Sequence, residues 1–303
     1  MKIEIKNLYK SFGDKEVLKN ICLSAESGKA LGLLGRNGAG KTTTIRILMG
    51  LFEANSGEIL LDGKKYDREK MHIGYLPEER GLYTKKKILQ QLVYFGELKG
   101  MKGSEAKRCA HDYLEKFGML EYENKKLQTL SKGNQQKIQL IAALIDDPDI
   151  VILDEPFTGL DPVNAKILKD EVEELISKNK IVLFSSHQMN YIEEFCNDIA
   201  ILNQGAIVKS GKITDIKKSY PRNKINIGSN DIKEIEKFLL TNCNDLISEV
   251  KIVDENLFIE LNDENQRNNI LKQLSENNFD IDTFNVIEPS LNDIFVEHTV
   301  EGI

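Results

Sequence analysis

The residues with the most chemistry in them form one contiguous stretch, Gly35-Arg36-Asn37-Gly38-Ala39-Gly40-Lys41-Thr42, followed by Thr43. A glycine, four residues and then Gly-Lys-Thr is a phosphate-binding loop, provided that a strand precedes it and a helix follows. Both conditions are predicted to hold: Ala30-Leu31-Gly32-Leu33-Leu34 is an apolar run of strand length, and Thr43 to Gly50 has helical spacing. The glycines let consecutive N–H groups turn inward around an anion. Lys41 adds a point charge, the Thr42 hydroxyl is a ligand for Mg²⁺, and the following helix aims its N-terminal partial positive charge at the same phosphates. The stretch is expected to bind a nucleoside triphosphate through Gly35 to Thr43.

Further along, the four apolar residues Ile150-Val151-Ile152-Leu153 run into Asp154-Glu155. A buried strand that delivers two adjacent carboxylates at its C-terminal edge is costly unless the charges meet a cation, and beside a triphosphate that cation is Mg²⁺. Neighbours on a strand point to opposite sides. Asp154 is therefore expected to hold the metal through its hydration shell, and Glu155 to accept a proton from an attacking water. Ile181-Val182-Leu183-Phe184 is a second buried strand that places Ser185-Ser186-His187 at its end, where His187 is expected to reach the γ-phosphate. Ser131 is a good N-cap for a helix running from Gln135 to Asp146. Tyr9 and Phe12 flank a turn at Gly13-Asp14, and Phe12 is the expected aromatic face for a base.

The elements that must position these groups are legible in outline. Met1 to Lys10 and Val17 to Ala25 alternate as half-buried strands of a small antiparallel layer, and Gly57 to Gly63 and Ile73 to Leu76 read as short strands. From about Lys86 to Lys126 the apolar residues fall at helical spacing, so an all-helical insertion interrupts the α/β core. In the tail, strands at Lys224 to Ile227, Val250 to Val253, Leu257 to Leu261 and Ile281 to Val286 alternate with helices near Ile232 to Leu240 and Glu264 to Asn277. That βαββαβ order fits a small ferredoxin-like sandwich.

The composition narrows the classes. With 303 residues, 41% of them apolar and 29% charged, the chain reads as a globular protein of about two domains. A net charge of -7 argues against a nucleic-acid partner, and the short basic run Lys85-Lys86-Lys87 reads as a solvated face. No apolar run approaches the roughly 18 residues of a membrane span. The start Met1-Lys2-Ile3-Glu4 carries no apolar signal segment, so the chain is expected in the cytoplasm unless a partner holds it at a membrane. Cys22, Cys109, Cys196 and Cys243 are scattered and read as reduced packing residues, with no metal site beyond nucleotide-bound Mg²⁺.

Assembled in order, the phosphate loop, Leu130-Ser131-Lys132-Gly133-Asn134-Gln135 as a signature, the acidic strand, Gly159-Leu160-Asp161 as a D-loop and His187 as a switch histidine resemble the ATP-binding subunit of an ABC transporter over residues 1 to about 220. The signature separates this family from kinases, GTPases and helicases. The resemblance implies a P-loop NTPase of RecA-like α/β core, with an antiparallel β layer and a helical subdomain at about 86–146, followed by an α+β accessory domain at 221–303. It further implies ATP and Mg²⁺ as cofactors, with Thr42, Asp154 and Glu78 at the metal. Two copies would close head to tail, Ser131 and Gly133 of one clamping the γ-phosphate bound by the other. Separate membrane permease subunits would carry the cargo and hold the chain peripherally at the inner face of the membrane.

Three departures stand out. Lys132 and Asn134 replace the usual Gly and Gln of the signature, and Glu78 stands where the Q-loop carries Gln. A carboxylate accepts and brings charge, whereas an amide also donates. The stretch Leu76 to Tyr83, the signature and the ending Ile287 to Phe295 resemble an exporter subgroup of the sodium-extrusion or ABC-2 type. A soluble ABC-type ATPase acting as a nucleotide-dependent switch on a non-transport partner is the competing expectation. It is disfavoured by a single cassette without sustained heptads.

Overall fold

The structure, a computed structural model, describes residues 1–79 and 81–299; Arg80, in the Leu76 to Tyr83 stretch, and residues 300–303 lie outside them. Alternation of apolar and polar residues makes β1 (Lys2–Phe12) and β2 (Lys15–Glu26), which pair antiparallel around the expected turn. Ile3, Ile5, Leu8, Leu18 and Ile21 are all buried in one cluster from this layer. The layer is completed by β4 (Ser56–Leu61) and the two-residue β5 (Lys64–Lys65), in the order β2-β1-β4-β5.

The second sheet carries the chemistry. It holds β3 (Lys29–Gly35), β6 (Ile73–Leu76), β7 (Ile150–Asp154), β8 (Ile181–Ser186), β9 (Asp198–Asn203) and β10 (Ala206–Lys212), in the order β10-β9-β3-β8-β7-β6. Every pairing in it is parallel except that of β10 with β9. Near-continuous apolar runs such as Ile150 to Leu153 are what a strand covered on both faces requires, and all four are fully buried. The parallel register brings the C-terminal ends of β3, β6, β7 and β8 to one edge, with Leu34 beside Ser186 and Asp154 beside Ser185. A ligand crevice at that edge is the general rule for such sheets. Strands β9 and β10 are not among those expected from the sequence.

The helical insertion contains α2 (Ile88–Leu98) and α3 (Gly103–Lys116), and α4 (Lys132–Leu144) follows it. The Ser131 hydroxyl accepts from the Asn134 N–H at 3.3 Å, so the expected cap is present, although the helix starts earlier than Gln135. At the other end of α4, the Lys99 ammonium donates to the Ala143 carbonyl at 2.9 Å and pairs with the Asp146 carboxylate, which His72 also meets. A cation on the last carbonyls of a helix complements its dipole. The remaining helices of this part are α1 (Lys41–Leu48), α5 (Pro162–Ser177), α6 (Met189–Phe195) and α7 (Ile213–Lys218).

The chain divides into two compact units, Thr214–Ile294 forming the second. There β11 (Lys224–Gly228), α8 (Ile232–Asn242), β12 (Ile247–Val253), β13 (Asn256–Leu261), α9 (Arg267–Glu276) and β14 (Thr283–Ile287) form an antiparallel sheet in the order β12-β13-β11-β14. This is the ferredoxin-like arrangement, with its own core of Ile225, Ile227, Leu257 and Ile259 against Ile235, Leu239, Ile270 and Leu274. The chain ends in α10 (Leu291–Thr299). Its residues 295–299 pack with the first unit, whereas the sequence assigned everything from 221 onward to the accessory domain.

Leu153→Ala is expected to lower stability by about 2–5 kcal/mol, since it empties a fully buried position on the strand that carries the carboxylates. A urea midpoint equal to that of the parent would show that β7 does not bear on the core.

Candidate nucleotide-binding site

The loop between β3 and α1 takes the conformations that its glycines permit. Gly38 and Gly40 have φ of +82° and +113°, and a Cβ on Gly40 would lie 2.6 Å from Leu18 Cδ2. The Lys41 ammonium is folded into the loop, donating to the Gly35 carbonyl at 2.5 Å. Burial pushes its pKa down, against the opposing attraction of Glu155, Asp154 and Glu78. Two adjoining cavities open on this loop. One, of about 570 Å³, is lined by Arg36 to Thr43 together with Lys15, Val17, Glu78, Asp154 and Glu155. The other, of about 850 Å³, is lined by Gly35 to Ala39, Glu78, Glu155 and His187, and also by Asn203, Gln204, Phe295 and Thr299.

The end of β7 delivers its two carboxylates as expected, both of them buried. The Tyr75 hydroxyl donates to Asp154 Oδ2 at 3.3 Å, and burial followed by the Asp154 charge pushes the phenol up to about 12. Glu155 turns the other way with φ of +49°, a left-handed conformation that costs a residue with a Cβ of order 1–3 kcal/mol. It is held there by its N–H, which donates to the Ser185 carbonyl at 2.8 Å, and by the Ser186 hydroxyl, which donates to Oε2 at 3.2 Å. His187 Nδ1 lies 2.8 Å from Oε1. The histidine is 61% exposed on its side chain, so it joins a buried carboxylate to the open cavity.

Glu78 reaches both cavities. Its loop is tied to α4 by Gln139, whose amide donates to the carbonyls of Pro77 and Glu79, each at 3.2 Å. Ser131 and Gly133 line neither cavity; Gly133 faces Asn164 at the start of α5, and Asn164 in turn donates to Asp161. Phe12 also lies outside both linings. Its ring is edge-on to Phe52 at 5.4 Å, with the Lys10 ammonium 5.0 Å away. Sequence reasoning missed Tyr75, Gln139, Asn203, Gln204, Phe295 and Thr299. Ser186 was legible only as the neighbour of His187.

A phosphate loop, a buried carboxylate pair and an exposed histidine thus line two adjoining cavities that have Glu155 in common. The comparisons with known proteins decide the family. Residues 18–158 match the family model described as ABC transporter, and residues 211–299 match that of the ATP-binding protein DrrA1-3-like, C-terminal domain. An uncharacterized ABC transporter ATP-binding protein, YhaQ of Bacillus subtilis (strain 168), is 42% identical over 296 residues, 97% of each chain. The chain belongs to the ATP-binding subunits of ABC transporters. The Nod factor export ATP-binding protein I of Cupriavidus metallidurans is 33% identical over 69% of this chain and 71% of its own. A dimeric bacterial ABC transporter cassette of known structure is 25% identical, with a TM-score of 0.62 over 70% of this chain and 98% of its own.

As an ABC ATP-binding subunit, the protein binds and hydrolyses ATP to drive transport. Among the described residues no helix is long and apolar enough to cross a membrane.

Gly40→Ala is expected to destabilise the loop by about 1–3 kcal/mol, because the left-handed conformation is retained only at a cost and the new Cβ meets Leu18. Thermal unfolding and titration with a fluorescent ATP analogue should both show the loss. Parent-like values in both would mean that the loop does not need this geometry.

Proposed function

We propose that two copies of the chain close head to tail over two ATP molecules and power export through separate membrane permease subunits, to which they attach at the inner face of the membrane. One observation carries this reading. Two adjoining cavities share the phosphate loop, Glu78 and Glu155, one adding Asp154 and the other His187, while Ser131 and Gly133 of the same chain stand outside both. The N-terminus of α4, capped by Ser131, is a ready site for a phosphate that its own chain does not bring to it. A second copy supplies what each cavity lacks. The Nod factor export relative and the dimer of the solved cassette support export and pairing respectively.

Within a copy, the backbone of Gly35 to Thr43 and the Lys41 ammonium bind and orient the phosphates. The donor set at the loop also fits Mg²⁺. Oxygens from Thr42, Asp154 and Glu78 line one cavity, and no cluster of three His, Cys, Asp or Glu side chains able to hold an ion alone exists among the described residues. When bound with the nucleotide, the ion neutralises charge developing on the β- and γ-oxygens. Glu155 accepts the proton of the attacking water. His187, hydrogen-bonded to it, fixes the direction of its carboxylate and steadies the γ-phosphate from the exposed side. The cleft lined by Tyr83, Lys86, Gln90, Gln91 and Tyr94, its Tyr83 ring stacked on Phe95, is where a cytoplasmic helix of the permease docks.

Glu155→Gln is expected to slow hydrolysis by roughly 10²–10⁴-fold while ATP binding persists, the usual worth of a general base. The same variant should become dimeric with Mg-ATP in light scattering. Hydrolysis at the parent rate sinks the assignment of the base, and a persistent monomer sinks the shared-nucleotide reading. Glu78→Gln should shift the Mg²⁺ dependence of turnover more than nucleotide affinity, and superimposable Mg²⁺ titrations would remove Glu78 from the metal. Purification from solubilised membranes should bring an integral membrane protein with the chain.

A further inference from the structure

The larger cavity has a wall that no part of the phosphate loop, the acidic strand or the histidine supplies. Phe295 and Thr299, on successive turns of α10, line it together with Glu155 and His187. Both belong to the part of the chain matched by the DrrA1-3-like C-terminal model and lie well beyond the ABC match, which stops at residue 158. The end of the helix is fastened to the same unit. The Asn203 amide donates to the His298 carbonyl at 3.1 Å, and Asn203 itself lines the cavity. The turn that follows Asn203 is in turn bonded to the phosphate loop, the Gly205 N–H donating to the Ala39 carbonyl at 3.1 Å. Loop, turn and helix end are therefore linked by hydrogen bonds.

The two side chains differ in what they offer. Thr299 is buried, and its hydroxyl donates to the Phe295 carbonyl at 2.7 Å, so it is turned to its own helix and serves as wall, not ligand. Phe295 is a half-buried aromatic ring on a cavity whose other named groups are mostly polar. Glu155 is buried and lines both cavities, and of the two side chains bonded to its carboxylate the exposed His187, at 2.8 Å, is nearer than Ser186, at 3.2 Å. An apolar surface there restricts the water around a base that must act on a single held molecule, and it strengthens the hydrogen bond between base and histidine.

We propose that Phe295 is a positioning residue for ATP hydrolysis, an apolar wall of the cavity that Glu155 and His187 also line, in the same chain that binds the nucleotide. The inference rests on the reading of Glu155 as the base. Phe295 offers the cavity a ring and no polar group for the phosphates, so the effect is expected on turnover and not on binding. In the full-length protein, Phe295→Ala is expected to lower kcat roughly 10-fold with KM for ATP within about twofold of the parent, and Phe295→Leu to restore most of the rate. A parent-like kcat for Phe295→Ala, or a loss that Leu does not restore, overturns the proposal. Should Phe295→Ala fail to fold, Asn203→Ala releases the helix end instead. A lowered kcat at unchanged KM then supports the wall, and a parent-like kcat overturns it. Glu155→Gln run alongside separates the two levels, because a base assignment that fails shows in that variant whatever Phe295 does.

Discussion

Two carboxyl groups stored side by side inside the protein set the terms for the nucleotide-binding unit. An isolated buried ion costs several kcal/mol, and a partner removed from it leaves that cost uncompensated. Asp154 and Glu155 are compensated from different directions: a phenol from β6 for the first, and a hydroxyl, a backbone carbonyl and an imidazole at the end of β8 for the second and its strained backbone. Lys41 faces both from the loop after β3. Four strands that are far apart in the chain must therefore end together, and parallel pairing with short loops at one edge is the arrangement that does this.

The packing around that edge follows from the same need. Phe157, just after the carboxylates, stacks on Tyr191 at 4.0 Å and on Phe195 at 5.3 Å, which fixes the loop after β7 against α6 and hence against the segment carrying His187. Stacked rings add of order 0.5–1.5 kcal/mol beyond the area they bury. Lys116 from α3 pairs with Glu171 and Glu174 of α5 at 2.5 and 2.8 Å, and this joins the helical insertion to the core.

What the sequence discloses is what is local. The phosphate loop, the Asp154-Glu155 step, the Ser131 cap and the apolar runs of β7 and β8 each depend on a few consecutive residues, and each is found where it is expected. The βαββαβ order of the second unit was legible for the same reason, because period-two and helical spacing are read within one element. Strands β9 and β10 escaped notice, since Ile199 to Leu202 is a short apolar run between two polar turns that a buried helix end would also produce. The Gln139 bonds to the Glu78 loop and the return of Phe295 to the phosphate loop join residues separated by tens to hundreds of positions. No spacing in a single sequence encodes such contacts. Phe12 illustrates the opposite limit: the residue type and the turn are as read, yet the ring packs on Phe52 and lies off the cavity wall.

The two hydrogen bonds from one glutamine on α4 have a mechanical consequence. Because Gln139 grips the backbone on both sides of Glu78, α4 cannot shift as a rigid rod and leave that carboxylate in place. Under the paired arrangement the N-terminus of the same helix senses a triphosphate held by the neighbouring molecule. In the proposed pair, news of the neighbour's fuel would then arrive at the proposed metal-facing Glu78 by a lever about two turns long, gearing the two engines through their separate interiors.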